Sequence, residues 1–187
     1  MEGSGAGLES ARNDFPALKN RRNGKCPMYF DSACTTLVPS QVLDAVSQYY
    51  REFPACGGGR SRYWFAEEVT DRIDGNAERR INGSREAIKQ FINARSEKEI
   101  VFTQNASHAI NTVALGIQFR PGDIVLLTDR EHNSNLLPWL RLRKYGHISV
   151  EQTASSSDGI FDLDGFEQRV RQGHLGLISM AYTTNMV

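Results

Sequence analysis

Hydrophobic positions in the second half of the chain follow two alternating patterns, and the alternation predicts an α/β fold. Short, largely apolar runs lie at residues 99–103, 123–129, 147–152 and 175–185. Segments with apolar residues at helical spacing separate these runs, at residues 107–117, 135–146 and 162–172. Strands that are apolar on both faces are typical of a parallel sheet covered on both sides. We therefore predict a mostly parallel sheet with helices on both faces.

The first half of the chain is predicted to be mainly helical. A helix is expected to begin at residues 39–40, and residues 66–93 carry the longest helical pattern. Gly75 and Gly83 weaken that pattern, so a kink or a break is expected within it. Three consecutive glycines predict a flexible loop at residues 54–62. Residues 1–25 are expected to form a flexible leader and N-terminal segment, because their start is rich in glycine and serine.

Composition and charge argue against several classes of function. The 22 basic and 22 acidic side chains balance, so the net charge favours neither nucleic acid nor a membrane surface as a partner. No apolar run reaches the roughly 18 residues that a membrane helix needs, and the start of the chain lacks a signal-peptide core, so we expect a cytoplasmic protein. Cys26, Cys34 and Cys56 form no C-x-x-C pair, which predicts reduced thiols, some of them buried, and no metal site.

Polar residues follow three predicted strands where a parallel sheet binds its ligand, outside the carboxyl ends of the strands. Asn105, Ala106 and Ser107 enter a helix whose first N–H groups could bind a phosphate or a carboxylate, or Asn105 or Ser107 simply caps that helix. His132 could be a ligand, a general base, a plate stacked on a flat cofactor, or a structural residue. Asn185 could bind a ligand oxygen or lie in a turn.

Two further groups of candidates lie in the first half of the chain. Arg60 and Arg62 in the glycine-rich loop could reach a substrate carboxylate, or they could be solvated loop residues. Cys34 is a conceivable nucleophile, but nothing nearby in the sequence supplies a base for it. Neither a Walker loop nor a dinucleotide-binding glycine motif occurs, so a nucleotide site of those kinds is not predicted.

Five stretches of sequence, in this order and spacing, resemble the N-terminal half of class V aminotransferase-fold enzymes, and among them the cysteine desulfurases and selenocysteine lyases. They are DFPAL with YFDSACTT, FINARSEKEIVFTQNASHAIN, PGDIVLLTDREHNSNLLPW, DGIFDLDGFE and YTTN. The resemblance runs from about Ala11 to Val187. It implies an incomplete large domain of a fold type I, pyridoxal-phosphate (PLP)-dependent transferase, with residues 26–187 as the N-terminal part of the PLP-binding domain.

The resemblance also implies a role for each candidate. Asn105, Ala106 and Ser107 match the turn that binds the cofactor phosphate. His132 matches the histidine that stacks on the pyridine ring and can assist proton transfer, and Asn185 matches an asparagine near the cofactor's phenolic oxygen and the substrate carboxylate. In a desulfurase of this family, L-cysteine becomes L-alanine and an enzyme cysteine takes the sulfur as a persulfide. A homodimer, and a sulfur-acceptor protein in iron–sulfur cluster assembly, are implied in the same way.

Departures from the family leave other functions open. The stretch GGGRSRYWFAEE replaces a His-Arg-Gly motif, Asn133 replaces a second histidine, and Ala106 stands where many relatives have a hydroxyl. Transamination, epimerisation or another amino-acid cleavage therefore remain alternatives. Family members are longer, and we expect the Schiff-base lysine to lie outside residues 1–187, in which case this chain is a fragment or one piece of a split enzyme. A catalytically empty binding or dimerisation module is the third hypothesis, and exposed apolar surface is expected beside the last strand.

Overall fold

The computed structural model describes residues 10–184, and the chain divides into two compact units, Met1–Val101 and Phe102–Val187. The first unit contains helices α1 (Ser40–Glu52), α2 (Trp64–Asp74) and α3 (Ser84–Phe91), with short 3₁₀ turns at Pro16–Lys19 and Glu97–Glu99. Helix α1 begins directly after Pro39, as predicted, because the fixed backbone of a proline suits the position before a helix.

Two glycines interrupt the long helical pattern at residues 66–93. Gly75 ends α2 with φ of +87°, and Gly83 precedes α3. A Cβ atom at Gly83 would lie 2.4 Å from the backbone nitrogen of Gly75, so the two chain segments can cross this closely only without a side chain there. An antiparallel bridge between Asn76 and Ile81 closes the loop between them. The predicted break is therefore confirmed, and the pattern forms two helices.

The second unit is an alternation of helices and strands. Its elements are α4 (Ala106–Gly116), β1 (Ile124–Thr128), α5 (Asn133–Lys144), β2 (Ser149–Thr153), α6 (Leu163–Arg171) and β3 (Leu175–Ile178). The three strands are parallel in the order β2-β1-β3, and Ile124 of β1 pairs with Ser149 on one side and Leu175 on the other. The predicted parallel sheet is confirmed.

Helices cover both faces of this sheet. Val150 of β2 packs into a cluster with Trp139 of α5 and Ala114 of α4. Glu151, the next residue of the strand, points to the opposite face and forms an ion pair with Arg169 of α6. Helices α4 and α5 therefore lie on one face and α6 on the other. This arrangement explains why β1 is buried along nearly its whole length and is apolar at consecutive positions.

Residues 99–103 do not form the strand that their apolar pattern predicts. Glu97–Glu99 is a 3₁₀ turn, and the residues after it have no regular structure. Val101 is 73% exposed and Phe102 52% exposed. The sheet described within residues 10–184 consists of β2, β1 and β3, and residues 99–103 are not one of its strands. The prediction of a buried strand is therefore wrong.

The last predicted strand is shorter than its apolar pattern. Strand β3 ends at Ile178, at the edge of the sheet described. Ile178 and Met180 remain partly exposed, and Tyr182 is fully exposed, so the exposed apolar surface predicted beside this strand is confirmed.

The structure also shows the exposure of the cysteines and the lengths of the helices. Cys26, Cys34 and Cys56 are all exposed, so the prediction that some would be buried is wrong. Each lies outside the helices and strands, where no packed face covers it. No helix within residues 10–184 is both long and apolar enough to cross a bilayer.

Candidate functional site

Helix α4 begins with two backbone amides directed out of its N-terminus. The side chain of Asn105 accepts a hydrogen bond from the N–H of His108 at 2.9 Å, and its carbonyl accepts the N–H of Ala109 at 3.0 Å. The amides of Ala106 and Ser107 precede these groups and donate no hydrogen bond to another group within residues 10–184. The first turn carries no acidic residue, so the positive end of the helix dipole is not neutralised. Capping and anion binding are thus compatible, because they use different N–H groups.

His132 lies at the N-terminus of α5, just beyond the carboxyl end of β1. Its side chain is exposed, and Nδ1 accepts the backbone N–H of Ser134 at 3.1 Å. An acceptor at Nδ1 places the proton of the neutral imidazole on Nε2. One nitrogen therefore holds the ring at the helix start, and the other can donate a hydrogen bond.

Ser134 links His132 to Ser107. Its Oγ lies 2.9 Å from His132 Nδ1, and Ser107 Oγ donates to it at 2.7 Å. A shallow cavity of about 360 Å³ between α4 and α5 is lined in part by Ser107 and Ser134. The structure therefore brings the predicted anion-binding turn and the predicted aromatic plate into one hydrogen-bonded chain, through a residue that the sequence analysis did not single out.

Glu131, the residue before His132, joins the end of β1 to the segment that follows β3. Its Oε1 accepts hydrogen bonds from Thr128 Oγ1 at 2.7 Å and from the N–H of Ala181 at 3.0 Å. Its Oε2 accepts from Asn135 Nδ2 at 2.7 Å. One half-buried carboxylate therefore ties two parallel strand ends and the first turn of α5 together.

Asn135 extends this network into the core. Its Oδ1 accepts hydrogen bonds from Trp139 Nε1 at 3.1 Å and from Ser179 Oγ at 2.6 Å. The buried amide is thus satisfied at both ends, as a buried polar group requires. The sequence analysis missed Glu131 and Asn135, although the spacing of Glu131, Asn135 and Trp139, four residues apart each time, is a signal of contacts along one helix face.

Asp129 fastens the loop after β2 to the end of β1. Its carboxylate accepts hydrogen bonds from the backbone N–H of Ser155 at 2.8 Å and from Ser155 Oγ at 2.7 Å. These bonds, the backbone one first, lower the pKa of Asp129 below its ordinary value of 3.8. The contact therefore stabilises the fold at neutral pH and is lost as the pH falls through this lowered pKa.

We expect the Ser155 amide to report this titration. Its proton chemical shift should stay constant from neutral pH down to about pH 4 and change only below that, because the pKa of Asp129 is lowered from the ordinary value. The measurement is a two-dimensional NMR titration of the 15N-labelled protein. In Asp129→Asn the acid-range change should vanish, and a midpoint above the ordinary aspartate value in the unmodified protein would contradict the prediction.

The remaining candidates belong to other parts of the chain. Cys34, Arg60 and Arg62 lie in the first unit, on exposed segments outside its helices. Asn185 lies outside the described residues. The first unit also contains a cavity of about 710 Å³, lined partly by Tyr49 and Phe53, and none of the predicted site residues lines it. Cavity volume alone therefore does not mark the candidate chemistry.

Known proteins resemble this chain along most of its length. The family model for class V aminotransferases matches residues 28–187. A probable cysteine desulfurase of Methanothermobacter thermautotrophicus is 39% identical over 162 residues, which are 87% of this chain and 36% of that protein. The apo structure of a cysteine desulfurase from Thermococcus onnurineus NA1 has a TM-score of 0.79 and 30% identity, covering 95% of this chain and 40% of the other.

A more distant structure shares the fold alone. It is a mutant of the protein C-DES with glycine covalently linked to its PLP cofactor, with a TM-score of 0.62 and 15% identity over 90% of this chain and 48% of that one. The chain thus spans about two fifths of the length of the relatives that it matches.

Proposed function

Because the chain belongs to the class V aminotransferase family, we propose that it forms the N-terminal part of a PLP-dependent cysteine desulfurase. Such an enzyme converts L-cysteine to L-alanine and holds the sulfur as a persulfide on one of its own cysteines. Two similar proteins described as cysteine desulfurases support this choice within the family. The observation that carries the proposal is the hydrogen-bonded chain from Ser107 through Ser134 to His132, at the carboxyl edge of a parallel sheet.

The donors at this edge suit a phosphorylated aromatic cofactor. The amides of Ala106 and Ser107, the Ser107 hydroxyl and the dipole of an 11-residue helix together favour a phosphate, and Asn105 shapes the turn that presents them. His132 is exposed and able to lie against a pyridine ring. We propose these four residues, with Asn185 for the cofactor's phenolic oxygen and the substrate carboxylate, as the part of the PLP site that this chain supplies.

The chemistry is divided between the cofactor and the chain. When bound, PLP supplies an electron sink that lets bonds at the substrate's α or β carbon break. The protein's residues hold the cofactor and orient the groups around it. His132 keeps Nδ1 engaged with the Ser134 amide, so that Nε2 is the atom at which it can hold or donate a proton. Glu131 keeps the two strand ends at a fixed separation, which sets where His132 lies relative to the residues after β3.

We also propose how this protein binds its substrate and how it assembles. Arg60 and Arg62 offer guanidinium groups for the carboxylate of L-cysteine. Cys34, in the same unit, is an exposed thiol and a weaker candidate for contact with the substrate. We propose that residues 26–187 are the N-terminal part of the cofactor domain, and that the cofactor lysine lies in the length that the relatives have beyond the match. A cytoplasmic homodimer that passes sulfur to an acceptor protein in iron–sulfur cluster assembly completes the proposal.

The decisive experiment measures products from L-cysteine. The full-length protein, saturated with PLP and supplied with a thiol reductant, should release sulfide and alanine in equal amounts. If another amino acid turned over and L-cysteine did not, the desulfurase assignment would fail and the PLP assignment would survive. If the full-length protein bound no PLP, both would fail, and a binding or dimerisation module would replace them. After unbound PLP is removed, residues 1–187 alone should retain no absorbance from covalently held cofactor, because the proposed lysine lies outside them.

A further inference from the structure

We propose that Ser134 is a positioning residue that couples occupancy of the phosphate turn to the hydrogen bonding of His132. This inference rests on the proposed function, because it takes the amides before and at Ser107 as the phosphate site. Ser134 contacts both partners at once: Ser107 Oγ at 2.7 Å and His132 Nδ1 at 2.9 Å, with its own N–H donating to Nδ1 at 3.1 Å. Its single hydroxyl is therefore shared between the two functional groups.

The direction of the hydrogen bonds follows from the number of protons. Nδ1 of His132 already accepts the Ser134 amide, so in the neutral ring it carries no proton and the Ser134 hydroxyl donates to it. The Ser134 oxygen then accepts the proton of the Ser107 hydroxyl. In this state both hydroxyl protons point toward His132, and the ring proton is on Nε2.

A phosphate at the turn changes this direction without any net transfer of a proton. The Ser107 hydroxyl has one proton, and a charged phosphate oxygen is a stronger acceptor than a neutral hydroxyl. Ser107 therefore rotates its proton toward the phosphate, and its oxygen becomes free to accept from Ser134. The Ser134 hydroxyl is then divided between Ser107 Oγ and Nδ1, while the Ser134 amide stays on Nδ1 in both states. His132 thus responds to a phosphate that it does not touch.

A purely structural serine would not have this property. The Ser134 amide that the His132 side chain caps belongs to the backbone, so Ser134→Ala keeps the cap and removes only the hydroxyl link. Thr112 provides a matched control on the neighbouring helix, because its hydroxyl donates to the carbonyl of His108 within α4 and has no part in the chain to His132. Ser134→Thr restores a hydroxyl at the same position.

The test is 15N NMR of histidine side chains in the full-length protein, with inorganic phosphate and then PLP as probes. The His132 signal is assigned by its absence in His132→Ala. Phosphate should shift Nδ1 of His132 while the proton stays on Nε2. Ser134→Ala should reduce that shift by at least half and weaken PLP binding by about fivefold, the effect of one hydrogen bond. Ser134→Thr should recover the response, and Thr112→Ala should match the unmodified protein.

Two results would overturn the inference. One is a phosphate-induced shift of unchanged size in Ser134→Ala, and the other is a proton found on Nδ1 of His132 in either state. Either would leave the proposed function standing if PLP still bound. If neither phosphate nor PLP bound the unmodified protein, the proposed function would fail, and the coupling would fail with it.

Discussion

Replacing His132 with alanine should lower kcat/KM for L-cysteine by about 100-fold or more, the range found when a positioned proton donor is lost. The side chain is exposed, and within the described residues its hydrogen bonds all go to Ser134, so its removal costs the fold little more than a helix cap, about 1 kcal/mol. The measurement is steady-state kinetics together with a PLP dissociation constant. Far-ultraviolet circular dichroism should show an unchanged helix content.

Two further variants separate the two roles proposed for this ring. His132→Phe keeps a flat ring and removes Nε2–H, so PLP affinity should largely be retained while kcat falls. His147→Ala removes another exposed histidine of the same unit and should leave both quantities unchanged. If His132→Ala had normal kinetics and normal PLP affinity, His132 would be only the N-cap of α5.

Glu131→Ala should lower the free energy of unfolding of the second unit by about 2–4 kcal/mol. The change removes the acceptor of three hydrogen bonds and leaves the buried hydroxyl of Thr128 and the buried amide of Asn135 without that partner. It also releases the N–H of Ala181. The measurement is urea denaturation followed by circular dichroism.

Two variants make the Glu131 result specific. Glu131→Gln keeps one oxygen for Thr128 and Ala181 but sets an NH₂ group against that of Asn135, so its loss should be smaller, about 1–2 kcal/mol. Glu167 is an exposed glutamate whose partner is Arg171, one turn along α6, so Glu167→Ala should cost under about 0.5 kcal/mol. If Glu131→Ala were as stable as Glu167→Ala, water would be replacing the three hydrogen bonds that Glu131 accepts, and the prediction would be wrong.

The sheet of the second unit could be predicted from sequence because burial and pattern agree there. Strand β1 is covered on both faces, so consecutive apolar residues such as Val125, Leu126 and Leu127 are required, and periodicity detects that requirement. Residues 99–103 carry a similar pattern and form no strand. An apolar pattern indicates that a segment suits a buried strand, whereas its place in a sheet depends on the rest of the fold.

The site was predictable to the extent that its residues act locally. Asn105 and Ser107 follow a loop and begin a helix, which sequence position alone indicates. Ser134 was missed because its partner Ser107 lies 27 residues earlier, and Glu131 because it reaches Ala181, 50 residues later. Such distances along the chain become contacts only once β1 and β3 pair and α4 packs beside α5.

The opposite environments of the two tryptophans have a practical consequence for spectroscopy. Trp139, in the second unit, is 1% exposed, whereas Trp64, in the first unit, is 62% exposed, and the chain contains no other tryptophan. Because indole emission moves to longer wavelength in water, a red shift of the intrinsic fluorescence reports loosening around Trp139. Quenching by iodide reports Trp64. The chain thus carries one natural fluorophore for each unit, and the order in which the units unfold can be read without a label.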